Sequence, residues 1–313
     1  MEQIFSLLNV YLPVADVTVN LVALIAIGVS TGLLAGMFGL GGGLIIVPML
    51  AFMGIDYPVA AASSTNQMTA SSISGFMAYA RRKRVDYKLG LIMLIGGIAG
   101  SIFGVKLFYR LDAIGMLDFV VAVCFVVVLG LIGTWTFADA SVLLYRKINK
   151  IDTPRVRKIG WPKALYMPWR VHFYSCHEDV SVISLILVGF VGGVLVSIMG
   201  IGGSLIMIPI MVYILKVSDV FTAGTTHFQI IFTTILSTLL HAYSGQHLDI
   251  ILSSILMVCT ALGAQIGVKL SSGFHPDNFR ILLALLVLVI CVKVLYGAMS
   301  IPNEMFSIEV ISQ

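Results

Sequence analysis

Two glycine-rich interruptions, one in each half of the chain, restrict its fold more than any other feature. The first reads Gly39-Leu40-Gly41-Gly42-Gly43-Leu44-Ile45-Ile46-Val47-Pro48. The second, 161 residues later, reads Gly200-Ile201-Gly202-Gly203-Ser204-Leu205-Ile206-Met207-Ile208-Pro209. Each breaks a long apolar segment and precedes a short apolar run and then a stretch rich in Ser, Thr, Asn and His. Glycine weakens a helix by about 1 kcal/mol per residue relative to alanine and admits close backbone approach. In a bilayer such a break persists only where it is buried in protein or lines a wet cavity. Paired Gly/Pro interruptions in matching halves point to the binding site of a carrier.

The rest of the chain is membrane protein. Of 313 residues, 59% are hydrophobic and 11% charged, with a mean hydropathy of +1.03; a soluble domain carries about 25% charge. Apolar segments at 18–38, 59–80, 89–108, 116–137, 182–199, 220–243, 250–270 and 279–299 are long enough for a hydrocarbon core of about 30 Å. The runs 44–54 and 205–215 cover only about 16 Å as helix, so each break is expected partway into the bilayer. The fold class expected is all-α: a polytopic integral membrane protein of two inverted-topology repeats. Each repeat has about five helical segments, one of them short or re-entrant. The repeats span 17–137 and 181–299, joined by a basic cytoplasmic connector at 138–180. Residues 1–16 hold Glu2 and Asp16 and no basic n-region, so no removable signal peptide is expected.

The repeat extends beyond the breaks. Gly100-Ser101-Ile102-Phe103-Gly104-Val105-Lys106-Leu107 matches Gly263-Ala264-Gln265-Ile266-Gly267-Val268-Lys269-Leu270 at an offset of 163, and Gly28 and Gly32 match Gly189 and Gly193 at 161. Orientation follows from Lys and Arg near the helix ends. Of 19 such residues, five lie at 81–88 and eight at 146–170, which places both clusters on the cytoplasmic side. The corresponding second-half loop, 244–249, has neither residue and should face outward. The halves therefore read as inverted copies with both chain ends outside.

Candidate chemistry centres on the breaks. Helices starting at Leu44 and Leu205 would turn unpaired N–H groups and a positive dipole end toward Gly39, Gly41, Gly42 and Gly43, and toward Gly200, Gly202, Gly203 and Ser204. Such ends hold anions without a charged side chain. Gly28, Gly32 and Gly36 fit close helix packing instead. At an offset of 161, Ser64-Thr65-Asn66 falls on Thr225-Thr226-His227. Polar groups at membrane depth are costly unless paired. Thr65, Asn66, Gln67, Thr226, His227 and Gln229 are therefore candidate site residues. Ser71, Ser72, Thr233 and Thr234 are expected to bond their own helix carbonyls. His227 is the candidate for proton coupling; His241 and His247 read as solvated. No Asp or Glu lies in mid-span, which fits an anion better than a cation. Cys124, Cys259 and Cys291 read as small hydrophobes, and no CxxC spacing suggests a metal. Ser204 and His227 lack the G-x-S-G setting of a hydrolase, and no nucleotide-binding loop is present.

At Gly39–Pro48 and Gly200–Pro209, each followed by a polar helix, the chain resembles the TauE/SafE sulfite exporter family over about residues 17–299. The connector at 138–180 is longer and more basic than the family pattern. The resemblance implies a membrane carrier of sulfur-containing or carboxylated organic anions, sulfite and sulfonates among them. The expectation is a secondary transporter in a bacterial inner (plasma) membrane, with an anion channel as the alternative. It would use no cofactor, metal or catalytic residue; its partners would be the anion and the lipid bilayer, with no nucleic acid. Homo-oligomerisation is left open.

Overall fold

The computed structural model describes residues 9–38, 42–148, 170–171, 173, 175–176, 180–215, 217–244 and 248–270, with 288–289, 291–292 and 295. They are predominantly helical. A hairpin of β1 (Asn9–Leu12) and β2 (Val17–Asn20) leads into α1 (Leu21–Phe38), α2 (Gly43–Phe52), α3 (Tyr57–Arg81), α4 (Tyr87–Ala113) and α5 (Leu117–Ile148). A two-residue ladder of β3 (Arg170–Val171) and β4 (Val180–Ser181) precedes α6 (Val182–Met199), α7 (Ser204–Pro209), α8 (Asp219–Ser244) and α9 (Ile250–Leu270).

Local chemistry sets the helix starts. The Asn20 side chain accepts from the backbone of Val22 at 2.9 Å and opens α1. Asp86 accepts from Leu89 N at 3.1 Å and opens α4. Asp249 accepts from Ile251 N and Leu252 N, both at 3.0 Å, and opens α9. Each satisfies donors that a helix start otherwise leaves unpaired. The run 205–215 is not one helix. α7 stops at Pro209 and a single π-helical turn, Ile210–Ile214, follows. Proline lacks the N–H and crowds the preceding turn, so the ladder widens there.

Two helix pairs use small residues to approach. On α1, a Cβ at Gly32 or Gly36 would strike the α9 carbonyls of Thr260 or Ala264, and Gly263 and Gly267 meet α1 backbone in return. On α4, Gly96 and Gly100 meet the α6 carbonyls of Ile186 and Phe190, while Gly189 and Gly193 meet those of Met93 and Gly97. Backbones this close are the signature of packing through small residues in lipid. The packing expected of Gly28, Gly32 and Gly36 is what the structure has. The larger apolar core joins Leu24, Ile46, Leu50, Phe108 and Phe125, with Leu12 of the hairpin.

The chain reverses at each break. Cys176, before α6, pairs across a β-bridge with Val217, after α7, and Ser218 N donates to Ser175 O at 2.9 Å. In the first half, Asp249 touches both Val14, ahead of α1, and Ser63, in the second turn of α3. Each short helix thus returns toward the end from which its predecessor came.

Among the described residues, Tyr87–Ala113, Val182–Met199 and Ile250–Leu270 are long and apolar enough to cross a membrane. At 25 and 26 residues, α3 and α8 are also long enough, but their sequences are far more polar. Their hydroxyls are buried in protein, and α5 continues past Phe137 to Ile148. The expected span 279–299 and residues 149–169 of the connector lie largely outside the described residues.

Candidate functional site

The two breaks meet. Gly42 adopts φ +85° and Gly200 φ +61°, left-handed values that side chains resist. A Cβ at Gly43 would fall against the Gly200 carbonyl and the Met68 sulfur, so the two reversals touch at their tips. Ser64 on α3 donates to the Gly200 carbonyl at 2.8 Å. Thr65 donates to Ala61 O at 2.9 Å, with Val196 O at 3.4 Å. The second break is closed differently: Gly203 packs on the backbone of Gly192, and Ser204 donates to Gly202 O at 3.3 Å. Gly202 and Gly203 also edge a small apolar crevice with Val128, Leu195 and Ile206. Gly39 and Gly41 lie outside the described residues.

These contacts revise the expected dipole site. The helix starts are Gly43 and Ser204 rather than Leu44 and Leu205. The α2 start abuts a carbonyl oxygen, an acceptor, and α7 has only 6 residues.

The polar helices α3 and α8 cross where Thr69 donates to Thr234 at 3.0 Å. Several neighbours are satisfied locally. Thr226 donates to Thr222 O at 3.0 Å, Thr233 to Ile230 O at 3.0 Å and Thr234 to Ile230 O at 2.8 Å. Asn66 turns away and donates to Ser253 on α9 at 3.1 Å. Others have no hydrogen-bond partner among the described residues: both ends of the Gln67 amide, both ring nitrogens of His227, the Gln229 carbonyl and the Ser72 hydroxyl. Ser72 departs from the expected self-bonding.

Geometry separates these groups. The Gln67 nitrogen lies 3.2 Å from where a Gly42 Cβ would sit, with Ser71 Oγ 3.6 Å from the same point. The Gln229 nitrogen points at Gly97 on α4. The His227 ring lies against Gly75 and stacks on Tyr79, centroids 5.8 Å apart. The structure thus joins Gly42 with Gln67, Ser64 with Gly200 and Thr65 with Val196. Asn66 faces α9, Gln229 faces α4 and His227 lies against Gly75, while Thr226 bonds its own helix.

His241 is not solvated. It is buried, its Nε2 lies 3.0 Å from Ser197 O, and its ring sits between Phe108 and Tyr109. Cys176 is likewise buried, and burial pushes its thiol up to about 11. Sequence reasoning also missed Asp86 and Asp249 as junctions between distant segments; their position ahead of helix-forming runs was the available signal.

Long helices with apolar exteriors, paired chain reversals and uncharged polar groups enclosed between them define a polytopic membrane transport protein. The family described as Sulfite exporter TauE/SafE matches residues 24–294, so the chain belongs to that family. It is 25% identical over 289 residues to Probable membrane transporter protein YunE of Bacillus subtilis (strain 168), covering 88% of this chain and 98% of the relative. It is 24% identical over 276 residues to Probable membrane transporter protein YjnA of the same organism, covering 88% and 99%. A shorter match, 40% over 91 residues, is to Probable membrane transporter protein MJ0441 of Methanocaldococcus jannaschii, covering 26% of this chain and 33% of the relative. No solved structure matches. The chain is an integral membrane protein of a transporter family, not an enzyme.

Proposed function

We propose that the chain is a secondary transporter for a small organic or sulfur-containing anion, acting in the plasma membrane. The observation that carries this reading is the enclosed Gln67 amide facing the left-handed turn at Gly42, with neither end hydrogen-bonded among the described residues. A buried polar group without a partner costs about 1–3 kcal/mol. A sulfite, sulfonate or carboxylate oxygen would repay that cost by accepting from the amide nitrogen. No carboxylate lies inside α3 to compete for the donor. Gln229 on α8 is the second amide of the proposed site, and His227 the proposed proton carrier.

The inverted-repeat reading is supported by reciprocal contacts. Ser63 accepts from Asp249 N at 3.3 Å, and Thr225 accepts from Asp86 N at 3.0 Å. This aligns α3 with α8 at an offset of 162 rather than 161, making Gln67 and Gln229 equivalent. Gly32 on Thr260 and Gly193 on Gly97 are a second such pair. Gly43 against Gly200 leaves the centre closed, which favours a carrier over a channel.

The test is thermal unfolding of purified protein with sulfite, methanesulfonate, acetate or chloride. A ligand that binds only the folded state raises the melting temperature by mass action. Gln67→Met should raise the melting temperature of the ligand-free protein, because it removes an unpaired amide, and should abolish the shift with anion. A shift that survives Gln67→Met refutes this site.

A further inference from the structure

Asp86 and Asp249 do the same three things at opposite ends of the molecule. One carboxylate oxygen of each caps its own helix: Asp86 Oδ1 accepts from Leu89 N at 3.1 Å, and Asp249 Oδ1 from Ile251 N and Leu252 N, both at 3.0 Å. The other oxygen holds a segment of the opposite half. Asp249 Oδ2 accepts from Val14 N at 3.1 Å, in the turn of the β1–β2 hairpin. Asp86 Oδ2 accepts from the Ser175 hydroxyl at 2.7 Å, between β3 and β4. Finally, each aspartate's own N–H is received by a hydroxyl on a polar helix of the other half, Ser63 for Asp249 and Thr225 for Asp86.

A helix cap needs a single acceptor, and serine supplies it as well as aspartate. The second oxygen is therefore surplus to capping, and in both cases it is spent on the chain just ahead of α1 or α6. The held segments also match. Val14 and Ser175 are 161 residues apart, as are the buried pairs Leu12 with Phe173 and Ala15 with Cys176. The Ser175 segment also lies against the end of a chain reversal, Cys176 pairing with Val217.

We propose that Asp86 and Asp249 are paired latches, one at each membrane face, that join the two halves and open one at a time as the carrier exposes its site to either side. The proposal rests on the inverted-repeat reading above. Hydrogen bonds suit the task because water replaces them when a latch opens. With Asp249 closed and Asp86 open, the plug formed by Phe173 and Cys176 lifts from one end of the path while the hairpin still seals the other. The reverse arrangement opens the other end.

The test uses full-length protein in proteoliposomes and a membrane-impermeant maleimide, and needs no knowledge of the substrate. One background keeps native Cys176 and replaces Cys124, Cys259 and Cys291 by alanine. A second also replaces Cys176 by serine and carries Ala15→Cys. Asp86→Ser keeps a cap but loses the second oxygen; it should raise the labelling rate of Cys176 about tenfold or more and lower that of Ala15→Cys. Asp249→Ser should do the reverse. Ser175→Ala, which leaves the α4 cap intact, should reproduce Asp86→Ser. Rates that rise at both positions in one variant would mean general loosening and overturn the proposal, as would rates that do not move. If positions 15 and 176 label from the same side, the inverted-repeat reading itself fails. Opposite sides with unmoved rates would remove only the latches.

Discussion

The residue that most constrains the proposed site is Gly42. Its φ of +85° strains any side chain, and an added Cβ would lie in tight contact, 3.2 Å from the Gln67 nitrogen. Gly42→Val should remove anion-dependent stabilisation, and losing one or two bonds to a charged ligand should weaken binding by tenfold or more, about 1.5–3 kcal/mol each. The measurement is the melting shift against sulfite concentration. Normal binding by folded Gly42→Val would show that the turn serves packing alone. His227 is tested by a different readout: His227→Gln should flatten the pH dependence of flux into proteoliposomes without loss of folded protein. An unchanged profile would assign the imidazole a purely structural part against Tyr79 and Gly75.

Element by element, glycine means two different things in this chain. At Gly32 a methyl group would collide with α9 backbone, whereas at Gly130 the nearest atom beyond its own helix, among the described residues, is Cys291 Sγ at 3.7 Å. Gly32→Ala should therefore separate α1 from α9 and lower the melting temperature. Gly130→Ala should be neutral or stabilising by up to about 1 kcal/mol, through helix propensity alone. Gly28 behaves like Gly32, since its added methyl would lie 2.6 Å from Cys259 Cβ. The segment holding Cys176 has its own pH signature. Desolvation raises the thiol from its ordinary value near 9 to about 11, so the folded state holds the proton more tightly than the unfolded chain. The stability contributed by that buried thiol is complete below about that ordinary value and lost as pH climbs toward 11. Alkylation of Cys176 in native protein should stay slow through that window, while the denatured chain reacts at the ordinary thiol rate; equal rates at pH 9 would show that the segment does not cover it.

Across the whole molecule, the sequence was legible where hydropathy and glycine spacing act together. The breaks, the polar helices α3 and α8 and the close-packed pairs all follow from local residue types. Less visible were features set by distant partners. Nothing near Asn66 says that Ser253 will satisfy it while Gln67 next to it stays unpaired. The exact offset between α3 and α8 depends on which hydroxyl meets Asp86 or Asp249. The β1–β2 hairpin was hidden because four-residue strands beside a long apolar helix read as part of that helix. Pro13 and Asp16, flanked by alternating Val, Tyr and Thr, were its only local signal. Topology itself is open to test. A cysteine at Val85 should react with impermeant reagent only from the cytoplasm and one at Leu248 only from outside; reaction of both from one side would refute the inverted arrangement.

The hairpin at the start of the chain has a consequence for biogenesis. Its Val14 meets Asp249 across 235 residues, whereas Ser175 meets Asp86 across 89. During synthesis the first strands must wait until almost every helix has been made, while the Asp86–Ser175 bond can form with little more than half the chain made and its partners Val217 and Thr225 follow. The end sealed by the hairpin is therefore the last to assemble. A bulky fusion at the amino terminus should trap a late, nearly complete intermediate whose spans are all in place, and the same fusion at the carboxyl terminus should leave that step untouched.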